Sequence, residues 1–315
     1  MNKIKIYYMG AGNIAVPILN ELLNNDKVEL VGIGTQLDQP AGRKKNLTAT
    51  PVGIFCEERN INIDKIASAN SAEFIDYLKK LNPDFILVVS FGQLLKEEIL
   101  NLPKISCVNV HSSLLPLYRG ASPIVAAIAN GDDKTGVTFM KMEKGLDTGP
   151  IYKILEYMLD KTEYADGLEI KLGELAADNA VDILTNIANE KLIPVEQDNK
   201  LATKVGKVLK KDGVINWNED AKLICQKIRA YFPWPGVSFV LKGKKRSPKI
   251  GVIESEEVEL NGKPGEVLKI EENNWIIACK TNAINIKRLI PSGKKEMTSE
   301  EFFRGFNLEL GTIIE

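Results

Sequence analysis

The 315-residue sequence has few of the side chains that usually bind transition metals: one histidine, His111, and four cysteines. The cysteines, which are Cys56, Cys107, Cys225 and Cys279, form none of the closely spaced pairs typical of a zinc site. We therefore expect no metal. Scattered thiols are typical of a reducing compartment, where we expect them to be small buried apolar residues.

Long uncharged apolar runs are also absent from the sequence, so it predicts no transmembrane helix. The first residues alternate like a strand and lead directly into a glycine turn, which leaves no room for a signal or transit peptide. We therefore expect a cytoplasmic protein without membrane contact. Apolar residues make up 44% and charged residues 26%, which is typical of a globular chain with one large and one smaller domain.

The formal net charge is only −1, but the charge is unevenly distributed along the chain. Residues 204–315 contain 20 Lys and Arg against 15 Asp and Glu, so this part has a positive balance. The net charge alone indicates no nucleic-acid partner, whereas the asymmetry between the two parts makes one worth considering.

Strand and helix patterns alternate in the first part of the chain. Strands are predicted at Lys3–Met9, Val28–Ile33, Phe85–Val89, Ser106–Val110 and Thr138–Met142, and helices at Ile14–Asn24, Ser71–Leu81 and Leu168–Ala188. Repeated strand–helix–strand units predict an α/β fold with a doubly wound, mostly parallel, Rossmann-like sheet. Ligands of such sheets bind at the carboxyl ends of the strands.

Short strands separated by Gly, Asn and Pro turns dominate the last part of the chain. They are predicted, after a helix at Ala221–Tyr231, at Gly236–Leu241, Lys249–Ile253, Gly265–Ile270, Trp275–Ala278 and Ile284–Leu289. This pattern predicts a small, OB-like β-barrel. We expect a catalytic domain at 1–189, a polar linker at 190–208 and the barrel domain at 209–315.

A candidate catalytic set lies around the single histidine. Asn109 and His111 lie at the end of a predicted strand, and Asp147 follows in an acidic turn. An amide, an imidazole and a carboxylate can together stabilise an oxyanion and move a proton, as acyl transfer to an amine requires. A lone histidine beside apolar residues is more often part of the core, but this segment is polar and rich in turns, which favours a site.

The glycine turn at 10–15 (Gly-Ala-Gly-Asn-Ile-Ala) matches the dinucleotide-binding fingerprint between a strand and a helix. That fingerprint also requires an acidic residue at the end of the second strand to bind a ribose. The strand ends at Gln36 without one, so a nicotinamide-dependent oxidoreductase is a minor alternative. The turn serves equally well to let a strand and a helix pack closely.

Two groups of basic residues are candidates for binding phosphates. The first is Arg43, Lys44 and Lys45 in a long loop between prolines, and the second includes Lys207, Lys210, Lys244, Lys245 and Arg246 in the last part of the chain. Basic loops beside a small barrel can bind oligonucleotides. The composition is equally compatible with lysines that only confer solubility.

Together, the motifs resemble the formyltetrahydrofolate-dependent formyltransferases, specifically those that act on methionyl-tRNA. The resemblance rests on Asn109-x-His111-x-Ser113-Leu114-Leu115-Pro116, Arg119-Gly120-x-x-Pro123, Gly145-Leu146-Asp147-Thr148-Gly149, Pro40-Ala41-Gly42-Arg43, Arg229-Ala230-x-x-Pro233-Trp234-Pro235-Gly236 and Pro291-Ser292-Gly293-Lys294-Lys295-x-Met297-Thr298. It extends nearly end to end, and the C-terminal barrel distinguishes this group from formyltransferases that act on small ribotides. The turn Ala11-Gly12-Asn13 departs from the Thr-Pro usual there.

The resemblance implies transfer of a formyl group from the co-substrate 10-formyltetrahydrofolate to the α-amine of initiator methionyl-tRNA. It implies that Asn109 and His111 donate to the oxyanion, and that Asp147 orients His111 and passes a proton to the leaving nitrogen. The folate would contact Phe91, Gly92, Ser113, Leu114, Leu115 and Pro116, and the two basic groups would contact tRNA. We expect the chain to act as a monomer.

Other functions use the same residues and remain open at this level. A formyltetrahydrofolate hydrolase would use water as the acceptor, and a formyltransferase for a small amine would not need the basic barrel. A tRNA-binding module without catalysis would not require the complete set of Asn109, His111 and Asp147.

Overall fold

The computed structural model describes residues 3–41, 46–241, 247–271 and 274–314. Its strands are β1 (Ile4–Gly10), β2 (Val28–Gln36), β3 (Gln39–Ala41), β4 (Asn46–Thr48), β5 (Asp64–Ile66), β6 (Phe85–Val89), β7 (Ser106–His111), β8 (Arg119–Gly120), β9 (Lys134–Lys141), β10 (Ile151–Met158), β11 (Lys204–Val205), β12 (Val237–Val240), β13 (Lys249–Val258), β14 (Val267–Glu271), β15 (Asn274–Ala278), β16 (Ala283–Pro291) and β17 (Met297–Thr298). The helices are α1 (Ala15–Asn24), α2 (Pro51–Glu58), α3 (Ala72–Leu81), α4 (Glu97–Leu100), α5 (Pro123–Asn130), α6 (Ala165–Ala188), α7 (Ala221–Ala230) and α8 (Ser299–Phe303), with a 3₁₀ turn at Lys210–Gly213.

The chain divides into two compact units. The first comprises Met1–Pro123, Lys134–Met158 and Leu168–Val205, and the second comprises Ile124–Asp133, Leu159–Gly167 and Gly206–Glu315. Segments 124–133 and 159–167, which we expected within the 1–189 domain, group instead with the C-terminal residues.

The first unit contains a seven-stranded sheet in the order β10-β9-β7-β6-β1-β2-β5. Neighbours from β5 to β7 run parallel, and β9 and β10 are antiparallel additions at one edge. The mostly parallel sheet is confirmed. The link between β9 and β10 is too short for a crossover helix, which explains their antiparallel pairing.

The central strand β6 shows why this sheet has apolar cover on both faces. All five of its residues, the run Phe-Ile-Leu-Val-Val, are buried. Residues Ile86 and Val88 pack in a core cluster with Ile75 and Leu78 of α3. Such continuous apolar runs are typical of parallel strands between helices, so this element was predicted with the correct bounds.

The second unit contains an antiparallel sheet in the order β12-β13-β16-β15-β14, with β17 paired to β16. Each strand predicted in this region is present, and α7 packs against β13 and β16. The core is aromatic: the fully buried Trp275 stacks on Phe302 with 5.6 Å between ring centroids. The C-terminal antiparallel β domain expected from the turn pattern is thus confirmed.

Candidate active site

Strand β7 places Asn109 and His111 at the carboxyl-terminal edge of the parallel strands. Because strand side chains alternate between faces, residues two apart point to the same side. Asn109 pairs with Val88 on one side and Met140 on the other, and His111 lies opposite Thr138. Asn109 is half-buried, and His111 is only 7% exposed. The edge expected to bind ligands therefore carries the amide and the imidazole together.

Both nitrogens of the His111 ring have defined neighbours. Nε2 lies 3.0 Å from the carbonyl oxygen of Tyr118, and Nδ1 lies 3.9 Å from Oδ1 of Asp147. A carbonyl can only accept, so we assign the hydrogen of the neutral ring to Nε2. The lone pair of Nδ1 then lies on the side of the ring that faces the Asp147 carboxylate.

The Asp147 carboxylate is held by the backbone of the adjacent loop. Its Oδ2 accepts a 2.8 Å hydrogen bond from the backbone N–H of Gly120. Asp147 itself has φ 52°, a left-handed conformation that aspartate and asparagine adopt more readily than most residues. With its side chain only 12% exposed, the carboxylate has one oxygen on the backbone and the other towards His111.

Residues 118–120 form the loop that contacts both His111 and Asp147, and residues 203–205 hold this loop in place. Tyr118 N donates to Thr203 Oγ1 at 2.8 Å, and Arg119 N donates to the carbonyl of Thr203 at 2.9 Å. Strands β8 and β11 pair here in parallel, and a Cβ on Gly120 would clash with the carbonyl oxygen of Val205. With its φ of +121°, position 120 requires glycine for both reasons.

Gln197 joins this loop to the Asp147 turn. Its Oε1 accepts from Nε and Nη2 of Arg119 at 3.0 and 2.7 Å. Its Nε2 donates to the carbonyls of Asp147 and Gly149 at 2.9 and 2.7 Å. The segment expected to be a polar linker thus contributes a buried amide to the site.

The folate residues implied by the resemblance differ in how a ligand could reach them. Phe91, Ser113 and Leu115 have exposures of 1%, 0% and 2%, whereas Gly92 is exposed. Leu114 and Pro116 are half-buried. A ligand at this edge would therefore meet mainly backbone groups, together with the side chains of Leu114 and Pro116. Backbone donors and acceptors can recognise the polar edge of a flat heteroaromatic ring.

Thr138 on β9 fixes the shape of the loop at residues 113–116. Its hydroxyl donates to the carbonyl of Ser113 at 2.6 Å and accepts from the N–H of Leu115 at 3.2 Å. Thr138 is fully buried, so both hydrogen bonds are shielded from water. The loop is thereby held beside His111, since Thr138 is also the cross-strand neighbour of the imidazole.

The glycine turn after β1 lacks the free helix N-terminus that a dinucleotide requires. The Glu169 carboxylate accepts from the N–H of Ile14 at 3.3 Å and from Nδ2 of Asn13 at 3.2 Å. A pyrophosphate uses such N–H groups, and a carboxylate there would repel it. This contact argues against the nicotinamide alternative.

The basic residues expected to bind tRNA divide into described and undescribed groups. Lys207 and Lys210 are exposed on the second unit. Arg43, Lys44, Lys45, Lys244, Lys245 and Arg246 lie outside the described residues.

Sequence reasoning missed Gln197, Thr203 and Thr138 as parts of this site. Thr138 lies in a strand-like stretch that carries no motif, and the other two lie in a segment whose polar composition is typical of a connector. Their signal is tertiary, since each bonds to residues distant in sequence, such as Gln197 to Arg119. No local pattern could have identified them.

Comparison with known proteins identifies the class. Residues 2–184 match the formyl transferase family model, and residues 207–307 match the model of the formyl transferase C-terminal domain. This chain belongs to the formyl transferase family.

Within this family, the chain is similar over nearly its whole length to curated methionyl-tRNA formyltransferases. Methionyl-tRNA formyltransferase of Campylobacter jejuni subsp. jejuni serotype O:6 is 39% identical over 307 residues, which cover 97% of each chain. The enzyme of the same name from Caldicellulosiruptor saccharolyticus is 36% identical over 313 residues, covering 98% of this chain and 99% of the relative. The similarity therefore spans both units.

Solved structures share the fold at lower identity. A sugar 3N-formyl transferase, WlaRD, solved with dTDP and 5-N-formyl-THF, has a TM-score of 0.66 at 20% identity, covering 94% of this chain and 100% of its own. Methionyl-tRNA formyltransferase from Clostridium thermocellum has a TM-score of 0.56 at 19% identity, covering 80% and 93%. Among the described residues, no helix combines the length and apolarity needed to cross a membrane.

Proposed function

We propose that this protein transfers a formyl group from 10-formyltetrahydrofolate to the α-amino group of methionine esterified to initiator tRNA. The observation that carries the proposal is its similarity, over both units, to methionyl-tRNA formyltransferases. Formyl transfer to this amine supplies the N-formylmethionyl-tRNA used to begin translation. We place the reaction in the cytoplasm, where translation takes place.

In this proposal the proton passes through His111, with Asp147 as its counter-charge, rather than through Asp147 itself. Attack of the amine on the formyl carbon creates an oxyanion and an ammonium nitrogen that must lose a proton. Because Nε2 is engaged by Tyr118, the free lone pair of Nδ1 takes that proton. The resulting imidazolium lies 3.9 Å from the Asp147 carboxylate, which is its counter-charge. The protonated Nδ1 can then donate to the oxyanion or to the leaving folate nitrogen.

Asn109 provides the amide donor for the oxyanion. It lies two residues before His111 on the same face of β7, so its N–H groups can address the same carbon atom. A donor of this kind contributes on the order of 10²–10³ to the rate, because the charge it stabilises develops only in the transition state. Asn109 therefore supports the chemical step more than binding.

The folate binds along the backbone of residues 91–92 and 113–116. The exposed Gly92 and the half-buried Leu114 and Pro116 provide the accessible surface, and Thr138 keeps the second loop in place. Backbone groups bind the pterin edge, and Leu114 contributes apolar contact. This arrangement fits a flat ring with a polar rim.

Basic loops bind the tRNA in this proposal. On the second unit, Lys207, Lys210, Lys244, Lys245 and Arg246 neutralise phosphates, and Arg43, Lys44 and Lys45 do so on the first. Contacts of this kind position the acceptor end without reading its sequence.

Formylation of initiator and elongator methionyl-tRNA, compared at equal concentration, tests the function. We expect rapid formylation of the initiator, a much slower reaction with the elongator, and consumption of folate that depends on tRNA. Release of formate without tRNA would identify a hydrolase instead. Formylation of a small amine without formylation of methionyl-tRNA would identify a small-molecule transferase.

A further inference from the structure

Gln197, Thr203 and Val205 form hydrogen bonds with the loops that hold His111 and Asp147. Gln197 bonds to Arg119, Asp147 and Gly149, and Thr203 bonds to the backbone of Tyr118 and Arg119. The composition of residues 197–205 is that of a solvent-exposed connector, yet Gln197 is only 8% exposed.

We propose that Gln197 is a positioning residue for formyl transfer: its amide holds the Asp147 turn at the distance from His111 that the proton transfer requires. This inference rests on the proposed function and extends it to a residue whose hydrogen bonds go to Arg119, Asp147 and Gly149. Gln197 acts through Asp147.

The geometry of the amide supports a positioning role. Its two donor hydrogens go to the carbonyls of Asp147 and Gly149, on either side of Thr148, so one side chain spans the whole turn. Its oxygen is held by two N–H groups of Arg119, which is only 4% exposed. Arg119 therefore fixes the Gln197 amide, and this amide fixes the backbone of residues 147–149. A left-handed Asp147 needs such support, because that conformation is costly when its surroundings do not impose it.

The same loop system controls both members of the pair. Tyr118 contacts the imidazole through its carbonyl and Gly120 contacts the carboxylate through its N–H. Thr203 and Val205 bond to the backbone on either side of Gly120. A small displacement of the 197–205 segment would therefore change the distance between His111 and Asp147. Displacements near 1 Å at a catalytic group cost about 10²-fold in rate.

Two substitutions separate positioning from simple support of the buried arginine. Gln197→Glu retains an oxygen acceptor for Arg119 but loses both donors to the Asp147 turn. Gln197→Met removes the acceptor and the donors at similar volume. Tyr152→Phe is the matched control, because it removes a 3.0 Å buried hydrogen bond to Ser106, a residue of the same sheet that belongs to neither loop.

Steady-state kinetics with the full chain, initiator methionyl-tRNA and 10-formyltetrahydrofolate provides the first measurement. We expect kcat to fall by roughly 10- to 100-fold in both Gln197 variants, with the KM of each substrate within about twofold of wild type. The control should keep its kcat. Wild-type kcat in Gln197→Glu would overturn the inference, as would a raised KM with unchanged kcat.

The NMR signals of the imidazole provide a second measurement that is independent of activity. His111 is the single histidine of the sequence, so its ring signals need no assignment by mutation. Gln197→Met should shift them towards their positions in Asp147→Asn, and Tyr152→Phe should leave them in place. Unshifted signals in Gln197→Met would overturn the inference. If the wild type transfers no formyl group but the ring signals shift as expected, the proposed function fails and the positioning role stands.

Discussion

The proposed catalytic edge of the first unit and the core of the second unit are built by different interactions. At the edge, His111, Asp147 and Gln197 are held by hydrogen bonds with defined donors and acceptors. In the second unit, Trp275 and Phe302 are held by ring packing. Hydrogen bonds fix distances and directions, whereas apolar packing is favourable over a range of contacts. Transfer of a group at one carbon atom requires groups held at fixed distances, whereas the stability of the second unit requires only that its apolar side chains be buried.

The strongest test of this contrast removes the imidazole ring of His111 or the negative charge of Asp147. We expect His111→Ala and Asp147→Asn each to reduce kcat by about 10²–10⁴, because proton transfer loses its carrier or its counter-charge. Asparagine tolerates the left-handed conformation at position 147 and can still accept from Gly120, so this variant isolates the charge. Formylation assays at saturating substrates measure the loss. Near wild-type turnover in both variants would show that the site lies elsewhere.

A second test creates a cavity in the aromatic core. Phe302→Ala removes a ring stacked on both Trp275 and Phe306, and we expect the free energy of unfolding to fall by about 3–5 kcal/mol. Urea denaturation measures this change. Leu310→Ala, at a residue 65% exposed, should stay within roughly 0.5 kcal/mol of wild type. Equal effects of the two substitutions would contradict the assigned core.

A third test places a methyl group between the loop of residues 118–120 and β11. Gly120→Ala should cost about 2 kcal/mol or more in the free energy of unfolding and should also reduce kcat, because the new Cβ clashes with Val205 and the φ of position 120 disfavours alanine. Gly167→Ala is the control, since nothing lies within 4 Å of a Cβ there. Gly167 lies in the first turn of α6, so its replacement should leave the free energy of unfolding within about 1 kcal/mol of wild type. Thermal and urea unfolding, with parallel assays, measure both.

The smallest expected effect concerns the basic surface of the second unit. Replacing Lys207 and Lys210 together with Ala should weaken tRNA binding and lower the slope of log affinity against log salt by about one for each lost phosphate contact. Substituting both with Arg preserves the charge and should preserve the slope. Binding titrations between low and moderate salt measure it. An unchanged slope in the Ala variant would remove these lysines from the tRNA surface.

Most regular elements were predictable because their signals are local. The apolar run of β6 and the serine-capped start of α3, where Ser71 accepts from the N–H of Phe74, are written in adjacent residues. The antiparallel direction of β9 was not predicted, and neither was β10 as a strand. Strand direction depends on which neighbour a strand finds in the sheet, and an exposed edge strand has only a weak apolar pattern.

By itself, the sequence determined the alternation of strands and helices, the candidate set Asn109, His111 and Asp147, and the motifs shared with formyl transferases. Only the tertiary structure decided that Glu169 occupies the turn after β1 and that a connector-like segment supports Asp147 through Gln197. The physical reason is the separation along the chain over which each interaction acts. Hydrophobic periodicity and capping act between residues a few positions apart, whereas a buried amide bonds to whatever groups the fold brings within 3 Å.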